Sequence, residues 1–338
     1  MRLFPVSLVF SSIFVAAAAK NITIQRGDFK LPRAAGSPLS CRSCSTPAKQ
    51  PVFLADSSPP ADRPSVQATR GTPPGNSTWT SYGYPPAPSP PNVTSVISAG
   101  AFGGFPASAP GSWIEIYGVN LAPDTRSWAA TDFNGVNAPT SLDGVRVTVA
   151  GQSAFVDYIS SGPGQINVQL PAGLGAGTLP LIVSNANGSS QPFNITVNTA
   201  EPGLLAPSAF KIAGTQYVVA VLPDGSFVLP PGAISGVSSR PAKPGDTVIL
   251  FGIGFGPVTP AIPAGQIVSL QNQLSAPLQI LFGQTPAQIN FFGLSPGFVG
   301  LYQFNVVVPP VPDGDLVPLT FNLGGTAGAQ TLFTAVHQ

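Results

Sequence analysis

"PGSWIEIYGVNLAP" (Pro110–Pro123) and "PGDTVILFGIGFGP" (Pro244–Pro257) are one segment written twice. Pro110 aligns with Pro244, Gly111 with Gly245, Tyr117 with Phe251 and Gly118 with Gly252. A short apolar run that enters a glycine-rich turn resembles the opening of a nucleotide-binding loop. The duplication argues against that use. Asn120 stands where the other copy has Gly254, the GxGxxG spacing is absent, and "PVTPAIPAG" after Gly256 puts prolines where a pyrophosphate-holding helix would begin. The glycines instead let a strand leave its sheet through a bulge or a bend with positive φ, while Leu121 and Phe255 turn back over the end of a core.

The echo continues along the chain. "VAGQSAFVDYIS" matches "LFGQTPAQINFFGLS", "GQINVQLP" matches "YQFNVVVP", and "LPLIVSN" matches "VPLTFNL". These are short alternating or continuous apolar runs bounded by Gly, Pro and Asn, the pattern of a β-sandwich. The expected fold is all-β, with one sandwich over 92–198 and a second over 199–338.

Composition agrees with short strands and turns. The 338 residues include 40 Pro and 37 Gly, and only 8% are charged, which leaves little material for amphipathic helices with charged outer faces. His337 is the one histidine and stands next to the C-terminal residue, where chains commonly fray, so histidine acid/base catalysis and histidine-rich metal sites are not expected. Beyond Asn92 the chain has five basic and ten acidic residues and no basic stripe, so nucleic acid is not an expected partner.

"MRLFPVSLVFSSIFVAAAAK" has Arg2, an apolar stretch from Leu3 to Val15 and small residues Ala16 to Ala19, the layout of a secretory signal peptide over 1–19. No later run reaches membrane-spanning length. The expected location is therefore secreted or cell-surface. Residues 20–91 are rich in Pro, Ser, Ala and Thr with no helical or strand period, so they read as a disordered linker. Cys41 and Cys44, in "SCRSC", lack the companions of a zinc site or a βαβ redox motif, which leaves a local disulfide or incidental thiols.

The segments "PGDTVILFGIGFGPVTP", "LSPGFVGLYQFNVVVPPVPDGDLVPLTFNLGG" and "SGPGQINVQLPAG" together resemble the paralogous C-terminal domain of exported Acidobacteria (Solibacter-type) proteins, whose units are similar to IPT/TIG immunoglobulin-like domains. The resemblance covers roughly 92–338. It implies a tandem of immunoglobulin-like sandwiches on an exported bacterial protein and brings no reaction, ligand or cofactor. In a bacterial host, the Asn-x-Ser/Thr triplets at Asn21, Asn76, Asn92, Asn187 and Asn194 read as turn residues rather than glycan acceptors.

Chemistry-bearing residues are sparse. No GxSxG elbow occurs, and no histidine in the body can complete a serine triad. Asp313 and Asp315, in "PDGD", read as a turn and are the candidates for glycoside chemistry or weak calcium binding, with Asp224 in "PDGS" a second calcium candidate. A hydrolase would need Asp313 and Asp315 to share a cleft with Glu201 or Asp246. Trp128, in the polar insertion "DTRSWAATDFNG", is the candidate ring for ligand stacking, whereas Trp113 has the phase of a core residue. The expected function is a non-enzymatic, monomeric, cofactor-free exported protein that contacts a protein or polysaccharide at the cell surface. The alternatives are a carbohydrate-active accessory or weak hydrolase, and a purely structural spacer.

Overall fold

A computed structural model of the protein describes residues 89–162 and 164–338. The expected signal peptide at 1–19, the expected linker over 20–91 as far as residue 88, and Cys41 with Cys44 lie outside the described residues. In the first copy the principal strands are β1 (Asn92–Ser98), β2 (Trp113–Val119), β3 (Arg146–Val149), β4 (Phe155–Ser160), β5 (Gln165–Gln169), β6 (Gly177–Asn185) and β7 (Phe193–Val197). In the second they are β8 (Thr247–Ile253), β9 (Leu278–Phe282), β10 (Gln288–Leu294), β11 (Tyr302–Val307), β12 (Gly314–Leu323) and β13 (Leu332–Val336).

Strand order explains the layers. A first sheet runs β1-β2-β5-β4, and a second holds β3-β6-β7 with the short Ala107–Ser108 paired parallel to β7. The third sheet centres on β8-β11-β10, and the fourth holds β9, β12 and β13. Alternation along each strand sends every second side chain inward. Ile114 and Ile116 of β2 thus meet Val147, Val149, Val168 and Leu181 in one core, and Val248 and Leu250 of β8 meet Ile280, Phe304, Val306 and Leu319 in the other. The fold is two tandem immunoglobulin-like sandwiches.

The repeat holds at the level of register. Tyr117 faces Gln165 across the first sheet as Phe251 faces Gln303 across the third. Each sheet also carries a bulge at the same place, at Asp157 between Val156 and Tyr158 and at Asn290 between Ile289 and Phe291. Asn120 and Gly254, the aligned pair that excluded a phosphate loop, both have positive φ, at 57° and 74°. Leu121 and Phe255 are both buried over their cores.

Two features differ from the sequence reading. The Gly-Gln match of "AGQ" with "FGQ" is out of register by one, because Val149 pairs with Gln152 whereas Phe282 pairs with Thr285, which makes Ala150, not Gly151, the equivalent of Gly283. Positive φ at Ala150 (48°) and Gly283 (60°) is what the two turns share. The second copy also interrupts its first strand. Gly203–Leu204 pairs with the end of β8 as Asn92 and Val93 pair with the end of β2, and after an excursion over 205–219 the chain returns at Ala220–Val221 to finish the same edge.

That excursion builds a third core. Ala99, Phe102 and Trp113 of the first copy pack with Leu205, Phe210, Tyr217, Val219, Ile253 and Val299 of the second. Trp113 is therefore buried as expected, but outside its own sandwich, on the outer face of the first sheet. The Trp113 indole donates to the Val299 carbonyl at 3.2 Å. Gln169 receives the Gly265 amide at 2.7 Å, and the Ala206 amide donates to the Ala101 carbonyl at 2.7 Å. Burying an aromatic side chain is worth roughly 2–3 kcal/mol. A core of several such residues therefore outweighs the freedom of two tethered domains, and the described residues form one compact unit.

Candidate functional site

At one end of the fourth sheet, the turn after β9 and the segment leading into β12 leave an open groove of about 710 Å³. Phe282, Thr285, Val311, Asp313, Asp315 and Leu316 are among its walls. Leu316 is 56% exposed, an apolar side chain beside two carboxylates. Asp313 precedes β12 and Asp315 is the second residue of that strand, in a stretch where pairing with β13 shifts register. The expected turn is therefore absent: Asp313 lies in irregular chain ahead of the strand and Asp315 lies within it. Asp313 accepts the Gln338 amide at 3.1 Å, and Asp315 pairs with the His337 ring at 2.9 Å.

His337 does not fray, contrary to its expected behaviour. Its amide donates to the Ala242 carbonyl at 2.9 Å, because β13 continues into a parallel bridge with Ala242. The groove therefore holds two carboxylates, one of them paired with an imidazole that is not among its walls, a pairing hidden in the sequence by the distance between residues 315 and 337. Asp315 also acts on its surroundings, raising the Tyr217 hydroxyl above the ordinary phenol range together with the larger effect of burial.

The other carboxylates lie elsewhere. Glu201 accepts from Asn198 at 2.6 Å, Asp246 pairs with Arg240 at 3.0 Å, and neither lines the groove. The cleft that a hydrolase of this composition would need is therefore not assembled from these four residues. Asp224 closes a tight turn, its Oδ1 accepting the Ser226 amide at 2.9 Å. Among the described residues no three His, Cys, Asp or Glu side chains come together in a way that could hold a metal ion.

Trp128 lies at the joint between the sandwiches. Its half-buried ring meets Trp113 edge-on at 5.7 Å and Phe133 at 4.9 Å, and it packs on both the first and the third core. Its loop is pinned by Arg126, which binds Asp132 at 2.8 Å and also Asp143. Both carboxyls are held below the usual carboxylate range by the hydrogen bonds from Arg126.

Beneath this loop sits a group the sequence reading did not single out. The Asp157 carbonyl accepts the Trp128 amide at 2.7 Å, while its carboxyl is buried with Oδ2 unpartnered, close in sequence pairing to the equally unpartnered Ser127 hydroxyl. Burial alone pushes the Asp157 carboxyl up to about 7. Glu115 is buried too, but its oxygens accept the Gly100 amide at 3.0 Å and the Tyr117 hydroxyl at 2.5 Å. A second opening of about 320 Å³ lies at the joint itself, between Pro110 and Gly111 on one side and Pro257, Ile262 and Gly300 on the other.

No family model and no curated protein sequence matches the chain. Solved structures do align with it at low identity. The SGBP-B protein of the Bacteroides ovatus mixed-linkage glucan utilization locus, solved with a mixed-linkage heptasaccharide, is 12% identical over 68% of this chain and 43% of its own, with a TM-score of 0.29. The titin I-band fragment I67–I69 is 10% identical over 73% of this chain and 65% of its own, at 0.20. Domains 5–6 of the S-layer protein SbsC are 11% identical over 73% and 98%, at 0.25. The chain spans less than half of the first two structures it matches, 43% and 49%. Scores at this level align no residue of this site with one of theirs. Among the described residues no helix is long and apolar enough to cross a membrane.

Proposed function

We propose that the chain is a non-enzymatic, exported interaction module in which two immunoglobulin-like sandwiches, fused through a shared core, present a groove to a partner at the cell surface. The observation that carries this reading is the groove itself, where exposed Leu316 shares the walls with Asp313 and Asp315, the latter paired with His337. An exposed apolar side chain beside charged groups suits a recognition patch. The signal-peptide pattern at 1–19 and the resemblance to the exported Acidobacteria family support the location. The spacer alternative draws on the third core, since a welded pair of sandwiches also suits a strut.

The test is binding of the secreted chain to the host's cell-envelope fraction. Saturable binding that Leu316→Asp abolishes, and that Asp315→Asn weakens, supports the module. Absence of binding overturns it in favour of the spacer.

A further inference from the structure

The two copies diverge on the outer faces of their large sheets. By register, Ile249, Asn305 and Phe291 of the third sheet correspond to Glu115, Asn167 and Tyr158 of the first. In the first sheet that row is sealed, at 3%, 0% and 4% exposure. In the third sheet all three are half-exposed, and Gln288 and Asn290 beside them on β10 are exposed. The Phe291 ring packs into none of the three cores.

The amides on this face are held in fixed planes. Gln288 Nε2 donates to Asn290 Oδ1 at 2.9 Å, and Gln303 Nε2 donates to Asn305 Oδ1 at 2.8 Å. Gln303 Oε1 in turn accepts the Ser295 hydroxyl at 2.9 Å. Each pair spends one donor and one acceptor internally and leaves the asparagine nitrogens to face outward.

We propose that this face binds a neutral polysaccharide chain. Oriented amides match the paired hydroxyls of a sugar, and a half-exposed ring offers an apolar platform for the C–H face of a pyranose. The outer face of β8, β10 and β11 carries no ionisable side chain, so it has nothing to neutralise an anionic polymer. Size decides against a second copy of the chain. Three strands, each about 4.8 Å wide and about six residues long, present roughly 290 Å². A stable protein partner needs about 800 Å².

This inference rests on the reading of the chain as an extracellular interaction module, and it uses residues outside the groove. Affinity electrophoresis of the full chain with hydroxyethyl cellulose and soluble starch as neutral probes, and with polygalacturonate as the anionic one, tests it. Retardation by a neutral polymer and not by polygalacturonate is expected, with Phe291→Ala and Asn305→Ala each weakening it roughly tenfold and leaving the unfolding midpoint within a few degrees. Three results overturn it: no retardation by either neutral polymer, equal retardation by polygalacturonate, or unchanged retardation in both variants. If Leu316→Asp removes the retardation while Phe291→Ala does not, the module stands and the assignment to this face falls. A dimer in sedimentation that Phe291→Ala dissolves would give the face to a second copy instead.

Discussion

Replacing Asp157 with Asn should stabilise the protein at neutral and alkaline pH and do little in acid. The folded chain holds this carboxyl neutral up to about 7, against the 3.8 of an ordinary exposed aspartate. Between those two pH values the unfolded chain ionises the group while the folded chain does not. The contribution of Asp157 to stability is thus fully present below about pH 4 and drains away as pH rises to about 7. Each pH unit in that window is worth about 1.36 kcal/mol, so the whole span amounts to ~4 kcal/mol, a large part of a typical domain's stability. A carboxamide has nearly the shape of the neutral carboxyl it replaces and cannot ionise. Urea unfolding of both proteins at intervals from about pH 3 to pH 8 gives the difference curve directly. It should start near zero, climb through the window and level off in the range of 3–5 kcal/mol. A flat difference would refute the reasoning, because it would mean that Asp157 ionises in the folded state without cost.

Further outcomes concern backbone and packing. Gly254→Asn should destabilise by more than about 2 kcal/mol although Asn120 stands at the equivalent position, because a Cβ at Gly254 would lie 2.0 Å from the Glu201 carbonyl oxygen. The thermal midpoint reads this out, and an unchanged one would contradict the close approach. Trp113→Ala should cost about 3–5 kcal/mol by emptying the third core and should separate unfolding into two transitions. Arg126→Ala removes two ion pairs of a part-exposed side chain and should cost only ~1 kcal/mol. Its clearer effect should be faster proteolysis within 120–143, read by mass spectrometry of the fragments.

How much of this was legible in the sequence follows from what each signal measures. Period-two alternation and the repeated Pro-Gly strand gave both sandwiches, because inward side chains of a two-layer sheet must be apolar whatever the loops do. The same alternation placed Trp113, Glu115 and Tyr117 on one face and could not say whether water or another sandwich covered it. Trp113 thus passed for a core residue of its own sandwich, and Glu115 drew no attention although it is 3% exposed. The third core was invisible for a related reason. It is assembled from the 205–219 excursion, which has no counterpart in the first copy and so no repeat to reveal it. Of the groove, Asp313 and Asp315 stood out by their spacing, while His337, the partner of Asp315, was discounted because a local rule about chain ends cannot see a pairing with Ala242. Asp157 carried no sequence signal, since burial of a carboxyl is a property of the loop above it and not of the strand around it. Comparison of the two copies could have flagged the position, because Asp157 aligns with Asn290 once the Gly-Gln slip is corrected.

The claim on which the rest depends is that a shared core makes the two sandwiches one cooperative body. Differential scanning calorimetry of the full chain tests it most directly. The unaltered protein should show a single unfolding endotherm for the sandwiches with a calorimetric enthalpy equal to the van't Hoff value, and Trp113→Ala should divide it into two. Two independent endotherms in the unaltered protein, unmoved by that substitution, would contradict it.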